Sequence, residues 1–187
     1  MTIEEAIKQR HSVRKYIHKP LSTEVVRALE EKILECNKEG GLHIQLVTQE
    51  TKAFSGIMSY GKFHGVENYL VMAGQKADNL DERIGYYGEQ LVLLAQALGL
   101  NTCWAGLSYR KVNGAYKIEK GEKLTCMIAL GYGESQGVSH KIKTMEQVSN
   151  ATSNSPSWFR KGVEAALLAP TAINQQKFSF FPQDQRG

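Results

Sequence analysis

Residues 10–16 read R-H-S-V-R-K-Y and bring two guanidinium groups, an ammonium, an imidazole and two hydroxyls into seven positions. Alternate side chains of an extended stretch share a face, so Arg10, Ser12 and Arg14 would lie together. Guanidinium groups bind phosphate through paired hydrogen bonds, and a serine hydroxyl adds a further donor. The pattern favours a site for a phosphate monoester, with a solvated basic turn after a helix as the alternative.

The composition narrows the class of protein. The 23 Lys and Arg residues against 19 Asp and Glu give a net charge of +4, a mild excess that forms no basic stripe for nucleic acid. No signal region opens the chain and no apolar run approaches the roughly 18 residues of a membrane span. We therefore expect a cytoplasmic protein with no nucleic-acid or membrane partner, folded as a single domain over residues 1–187.

Cysteine and histidine spacing predicts neither disulfides nor a metal site. The three cysteines, Cys36, Cys103 and Cys126, are widely separated and form no C-x-x-C pair. The five histidines are scattered and none stands at ligand spacing from a carboxylate or a cysteine. We interpret the cysteines as small buried core residues.

Helix signals are clear at four places. Thr2 and Glu5 form a capping box that opens a helix to about residue 10. Ser22 can cap a second helix to about residue 36, ended by Gly40 and Gly41. Apolar positions at helical intervals predict a core helix over residues 81–98, with Gly99 as its stop, and a last helix over residues 158–168.

The remaining apolar runs predict strands. They cover residues 43–48, 69–73, 102–105, 124–130 and 178–181. Helices and strands in this order indicate an α+β fold with a mixed sheet.

Four segments, in order, resemble the nitroreductase family of FMN enzymes. Residues 10–16 match its N-terminal signature, a short helix followed by R-R/H-S-V-R-x-F/Y. Residues 88–106 look like its central helix and the strand that leads to the contact with flavin N5. The sequence L-G-Y-G at residues 130–133 is similar to the family's L-G-Y-P turn, and K-I-K-T-M-E-Q-V at residues 141–148 to its K-x-K-P-L-E-E-V stretch.

One family motif is displaced. The segment A-P-S-x-x-N-x-Q-P-W, which contacts the flavin ring, is missing after the second helix. Residues 165–178, which read A-A-L-L-A-P-T-A-I-N-Q-Q-K-F, look like the same segment moved to the carboxyl end. This arrangement resembles the smaller nitroreductases of the TM type, which implies a nitroreductase-like fold with a central mixed or antiparallel sheet flanked by helices.

The resemblance implies FMN as the cofactor and a set of residues that bind it. The phosphate, ribityl and pyrimidine side would be held by the N-terminal and basic segments, flavin N5 and O4 by backbone amides after a strand, and the ring by the displaced segment. The implied cofactor-binding residues are Arg10, His11, Ser12, Arg14, Ala105, Gly106, Leu107, Lys141, Lys143, Pro170, Thr171, Ala172, Asn174 and Gln176. No side chain is expected to be catalytic, because the flavin carries the redox chemistry.

The function implied by the resemblance is an NAD(P)H-dependent oxidoreductase of the nitroreductase type. Its partners would be NAD(P)H and a small electron acceptor, such as a nitroaromatic or a quinone, and it would act as a homodimer. Two alternatives stay open: a protein that binds or reduces free flavin without nitroreductase activity, and an interaction domain that kept the fold but lost the cofactor.

Overall fold

A computed structural model describes residues 1–56 and 62–182 of the chain. The internal contacts divide the chain into two compact units, Met1–Val138 and a second that begins at Ser139. Each unit has its own cluster of buried apolar side chains. The expectation of a single domain stays a prediction.

The helices of the first unit begin and end at the signals read from the sequence. They are α1 (Ile3–Gln9), α2 (Thr23–Gly40) and α3 (Leu80–Ala97). The Thr2 hydroxyl accepts the Glu5 N–H at 3.2 Å and the Glu5 carboxylate accepts the Thr2 N–H at 2.7 Å, which confirms the capping box. Helix α2 continues past residue 36 to Gly40 and is capped by Gly41, whose φ of +57° is left-handed.

Four strands form one antiparallel sheet in the first unit. They are β1 (Gln45–Val47), β2 (Asn68–Gln75), β3 (Asn101–Ala105) and β4 (Glu122–Gly131), in the spatial order β1-β2-β4-β3. All three neighbouring pairs are antiparallel, so of the mixed and antiparallel alternatives the antiparallel one is correct for this sheet. Strand β2 is buried on both faces except at its last residue, as its continuous apolar run predicted.

The sheet separates two apolar clusters. On one side, Leu29 of α2 and Leu91 of α3 belong to the same cluster as Leu70 and Ile128 of the sheet. The other cluster contains Tyr16, Phe54 and Tyr69, together with residues of β4. Both faces of the sheet are therefore covered, and the second cluster involves the segment that follows α1.

The second unit is a short helical assembly. It contains α4 (Met145–Val148), α5 (Ser157–Leu168) and a 3-10 turn at Ala172–Asn174. Its cluster is built from Val148, Phe159, Val163 and Leu167.

The strand predicted over residues 178–181 is wrong. In the structure Phe180 makes only an isolated parallel bridge with Ser149, where its N–H donates to the carbonyl of Val148 at 2.7 Å. Phe178 and Phe180 both pack against the cluster of the second unit, and their rings lie 5.2 Å apart. Alternate apolar residues therefore reflect packing on a helical surface here, without a partner strand.

No helix among the described residues has the length and apolar character needed to cross a bilayer.

Gly88 allows α3 to approach the sheet closely. A Cβ atom at this position would overlap the Trp104 ring and lie 2.8 Å from Met72 Cε. We expect Gly88→Ala to destabilise the protein by about 1–3 kcal/mol because the core would be overpacked. Gly85→Ala, one turn earlier on the same helix and facing open space, should be neutral or stabilising. Urea unfolding of the two variants checks this, and equal stabilities would contradict it.

Candidate functional site

The segment after α1 is fixed to the sheet by backbone hydrogen bonds. Arg10 ends the helix in an extended conformation, with φ −68° and ψ 124°. Ser12 then makes a parallel bridge with Thr102 of β3, and the Val13 N–H donates to the Thr102 carbonyl at 3.0 Å. The buried Tyr16 hydroxyl donates to the Val13 carbonyl at 2.6 Å. Ser12 and Val13 are therefore fixed against Thr102 of β3.

Arg10, Ser12 and Arg14 all lie close enough to the thiol of Cys103 to influence its pKa. Burial raises the pKa of Cys103, while the charge of Arg14, a hydrogen bond from Ser12 and the charge of Arg10 each act to lower it. The two arginines differ in environment, because Arg10 is 4% exposed and Arg14 is an exposed residue. Of the two guanidinium groups, Arg14 is thus the one that solvent reaches readily.

A carboxylate that the sequence reading did not single out orients Arg10. Glu89 of α3 lies 3.6 Å from Arg10 Nε and accepts a hydrogen bond from Trp104 Nε1 at 3.0 Å through its other oxygen. Burial raises the pKa of Glu89, and Arg10 and Trp104 oppose that shift. A usable signal was present, since Glu89 is a lone acid inside the apolar run of residues 88–99. Trp104 is partly buried and packs against the cluster that contains Leu91 and Ile128.

A cavity of about 400 Å³ opens beside the segment. Ser12, Val13, Arg14 and Lys15 line it together with Glu134, Ser135, Gly137 and Val138. A Cβ atom at Gly137 would lie 2.7 Å from the Cβ of His11, so the loop and the segment are in close contact there. The predicted phosphate-binding face thus borders an open space.

The other predicted contacts of the first unit lie at the end of β3. Ala105 is buried, Gly106 is exposed and Leu107 is 83% exposed. A Cβ atom built on Gly106 would meet no protein atom within 4 Å. At about 3.3 Å per residue, Thr102 and Ala105 are about 10 Å apart along the strand. One strand therefore connects the cationic segment with the exposed residues Gly106 and Leu107.

Within the second unit, Gln176 joins the remaining predicted residues. It is 4% exposed, and its side-chain oxygen accepts the Lys143 N–H at 2.9 Å. Its amide nitrogen donates to the Lys141 carbonyl at 2.9 Å and to Asn174 Oδ1 at 3.0 Å. The Lys143 ammonium donates to the Gln176 carbonyl at 2.8 Å. The amide of Gln176 is thus used to hold the two basic residues and the loop together.

The displaced motif adopts an unusual backbone. Ile173, Asn174 and Gln176 have φ values of +48°, +56° and +46°. These values lie in the left-handed region, which residues other than glycine rarely adopt. The Thr171 hydroxyl accepts the Gln176 N–H at 3.1 Å and helps to hold this loop, which also contains Pro170 and Ala172. Strained backbone of this kind is often found at functional sites.

The described residues contain no group of three or more His, Cys, Asp and Glu side chains that could hold a metal ion.

Solved structures share this fold at low sequence identity. A Thermotoga maritima protein described as a "putative nitroreductase" is 24% identical, with a TM-score of 0.66 over 98% of this chain and 73% of that one. A Desulfovibrio desulfuricans protein of the same description, in complex with FMN, is 18% identical, with a TM-score of 0.61 over 79% and 95% of the two chains. An FMN-dependent nitroreductase of Mycobacterium smegmatis in complex with NADPH is 17% identical, with a TM-score of 0.53 over 70% and 87%.

These likenesses show that the chain has the nitroreductase fold, which is α+β as predicted. The sequence model of the family described as "Putative TM nitroreductase" matches residues 2–186. The chain therefore belongs to that family, and the resemblance read from its motifs is confirmed. A comparison with curated protein sequences gave no match.

The contact between Glu89 and Arg10 yields a prediction about stability. We expect Glu89→Gln to lower the free energy of unfolding by about 1–3 kcal/mol, because an amide placed against the buried Arg10 removes a charge-assisted interaction. As a control, Glu31→Gln breaks the exposed pair with Arg27 and should cost less than about 0.5 kcal/mol. Denaturant unfolding measures both, and a neutral Glu89→Gln variant would mean that the contact adds no stability.

Proposed function

We propose that this chain is an FMN-dependent oxidoreductase that transfers a hydride from NAD(P)H, by way of the flavin, to a small electron acceptor. The observation that carries the proposal is the position of the cationic segment. Ser12 pairs with Thr102 near one end of β3, and the exposed residues Gly106 and Leu107 follow its other end. Membership of the nitroreductase family supports the same conclusion.

The donor set at β3 fits the chemistry of FMN. A phosphate monoester is matched by a guanidinium group and a hydroxyl, as Arg10 and Ser12 supply, which leaves Arg14 for the pyrimidine edge of the ring. The ring edge carries acceptor atoms, which backbone amides at residues 105–107 can meet where Gly106 leaves open space. The complex of the Desulfovibrio desulfuricans relative with FMN supports this choice of cofactor.

When bound, FMN would supply the redox chemistry by accepting and donating hydride. The chain's own residues would bind and orient it. The exposed guanidinium of Arg14 would stabilise negative charge on the pyrimidine edge, and Glu89 would hold Arg10 in place from the far side. Hydride transfer needs no general base, so a protein site without a catalytic acid–base pair suffices.

The nicotinamide and the acceptor are also part of the proposal. The complex of the Mycobacterium smegmatis relative with NADPH supports a nicotinamide donor. A nitroaromatic or a quinone would follow it in a ping-pong order. The homodimer, the cytoplasmic location and the roles of Lys141, Lys143 and residues 170–176 toward FMN stay predictions from the sequence.

The absorbance spectrum of the purified protein distinguishes the three readings of the sequence. A bound flavin spectrum, bleached by NADPH or NADH and restored by a nitroaromatic, is the expected result. Turnover that requires added free flavin would instead indicate a flavin reductase. A colourless protein that gains no flavin absorbance after incubation with FMN would contradict the proposal and support a cofactor-free domain.

Arg14 provides the sharper test of FMN binding, because its exposure separates binding from folding. We expect Arg14→Ala to weaken FMN binding by about 10-fold to 150-fold, which corresponds to the loss of a hydrogen bond to a charged group, about 1.5–3 kcal/mol. Arg10→Ala should also weaken binding, but it breaks the contact with Glu89 and lowers stability as well.

The control for Arg14→Ala is Arg27→Ala, which removes an exposed guanidinium on α2. Quenching of flavin fluorescence during titration gives the dissociation constants. An Arg14→Ala variant that binds FMN as tightly as the parent protein would remove this residue from the site.

Gly106 tests the other end of β3. We expect Gly106→Val to leave the melting temperature unchanged, because its Cβ position is open, and to slow flavin reduction by at least tenfold by obstructing the ring edge. Gly85→Val, at an open position on α3, is the matched control. Stopped-flow absorbance measures the reduction step, and a normal rate in Gly106→Val would exclude close approach of the flavin there.

A further inference from the structure

A second cavity of the first unit, of about 560 Å³, lies on the carboxyl side of the cationic segment. We call this space the aromatic cavity. The residues that line it are Lys15, His18, Thr51, Phe54, Ser55, Gly56, Lys62, Phe63, His64, Gly65, Val66 and Glu67. Small-molecule sites generally occupy about 300–1,000 Å³ and combine apolar surface with a few polar groups. The aromatic cavity has both properties, and the residues assigned above to FMN do not line it.

Its aromatic wall is held in place by surrounding contacts. The Phe54 ring is 4% exposed and lies edge-on to the Phe63 ring, with centroids 4.8 Å apart. The loop before it is fixed by Glu50, whose carboxylate accepts the N–H groups of residues 52 and 53 at 2.6 and 2.9 Å. The Tyr69 hydroxyl donates to the same carboxylate at 3.0 Å. These contacts through Glu50 hold Phe54 in one position against Phe63.

The rim of the aromatic cavity is cationic. Lys15 and Lys62 are exposed, and within residues 1–56 and 62–182 neither ammonium has a salt-bridge partner. Glu67 is the one carboxylate among the described residues that line the space, and it lies 2.6 Å from His18 Nδ1. The rim thus carries an excess of positive charge available to a ligand.

We propose that the aromatic cavity binds a small planar aromatic anion, with its ring against Phe63, which the buried Phe54 supports, and its anionic group at Lys15 and Lys62. A ligand whose negatively charged group is attached close to its aromatic ring could contact the apolar wall and the lysine ammonium groups at the same time. The binding of this ligand does not depend on the proposed function, because none of the residues assigned to FMN lines the aromatic cavity.

FMN is itself a planar aromatic anion, so the test must distinguish the two sources of this chemistry. We would saturate the full chain with FMN and titrate it with 4-nitrobenzoate in the absence of nicotinamide, following heat by calorimetry and flavin release by fluorescence. Nitrobenzene, which has the same ring without the charge, is the comparison ligand. The variants are Lys15→Gln and Lys62→Gln, and the control is Lys120→Gln at an exposed position outside the cavity.

We expect 4-nitrobenzoate to bind without flavin release and at least tenfold more tightly than nitrobenzene. Each rim variant should weaken 4-nitrobenzoate about fivefold, the effect of removing one charge about 4 Å away in water, and leave nitrobenzene unchanged. The Lys120→Gln variant should behave like the parent protein.

Three results would overturn the proposal: no binding of 4-nitrobenzoate, equal affinity for the two ligands, or no effect of either rim variant. Displacement of FMN by 4-nitrobenzoate would assign the cavity to the flavin and overturn it as well. A protein that holds no FMN but binds 4-nitrobenzoate in a manner that depends on the two lysines would end the proposed function and leave this inference standing.

Discussion

The pairing of Ser12 and Val13 with Thr102 of β3 is the constraint on which the candidate site depends. The Val13 N–H is bonded to Thr102, and the Tyr16 hydroxyl contacts the carbonyls of Val13 and Ala129 at 2.6 and 3.3 Å. Tyr16 is 2% exposed, so this hydroxyl is bonded where water cannot replace its partners. A slip of one residue would exchange the side chains on the two sides of the segment and separate Arg14 from Cys103.

The two arginines of the segment have different physical roles. Arg10 is enclosed and lies against Glu89, so its position is set by the protein, and part of its charge is already balanced. Arg14 is exposed and lines the cavity of about 400 Å³. A ligand anion would therefore gain more from Arg14 than from Arg10, although both belong to the same sequence motif. The sequence motif does not specify how buried each guanidinium is or which carboxylate lies beside it. These two properties decide which guanidinium is available to a ligand.

The sequence predicted local structure well where one or two residues determine it. The Thr2–Glu5 capping box and the stop at Gly99, whose φ is +80°, are both present. The strand at residues 178–181 was wrong because alternation reports burial of alternate residues, and a helical surface can bury them as a sheet can. The contact between Glu89 and Arg10 was missed because it joins segments that are distant in the sequence, which spacing alone does not connect.

Gly65 explains why the segment is held on both sides. Its φ is +68°, and a Cβ atom there would overlap the Tyr16 carbonyl oxygen, so the backbones can approach only without a side chain at this position. The approach allows the His64 N–H to donate to the Arg14 carbonyl at 2.9 Å and the Tyr16 N–H to donate to the His64 carbonyl at 2.9 Å. Residues 14–16 are thereby bonded to the wall of the aromatic cavity, just as Val13 is bonded to β3. Lys15 lines both cavities because it lies in this doubly bonded stretch. The two spaces are for this reason coupled through backbone geometry, and a change at Gly65 would disturb both together.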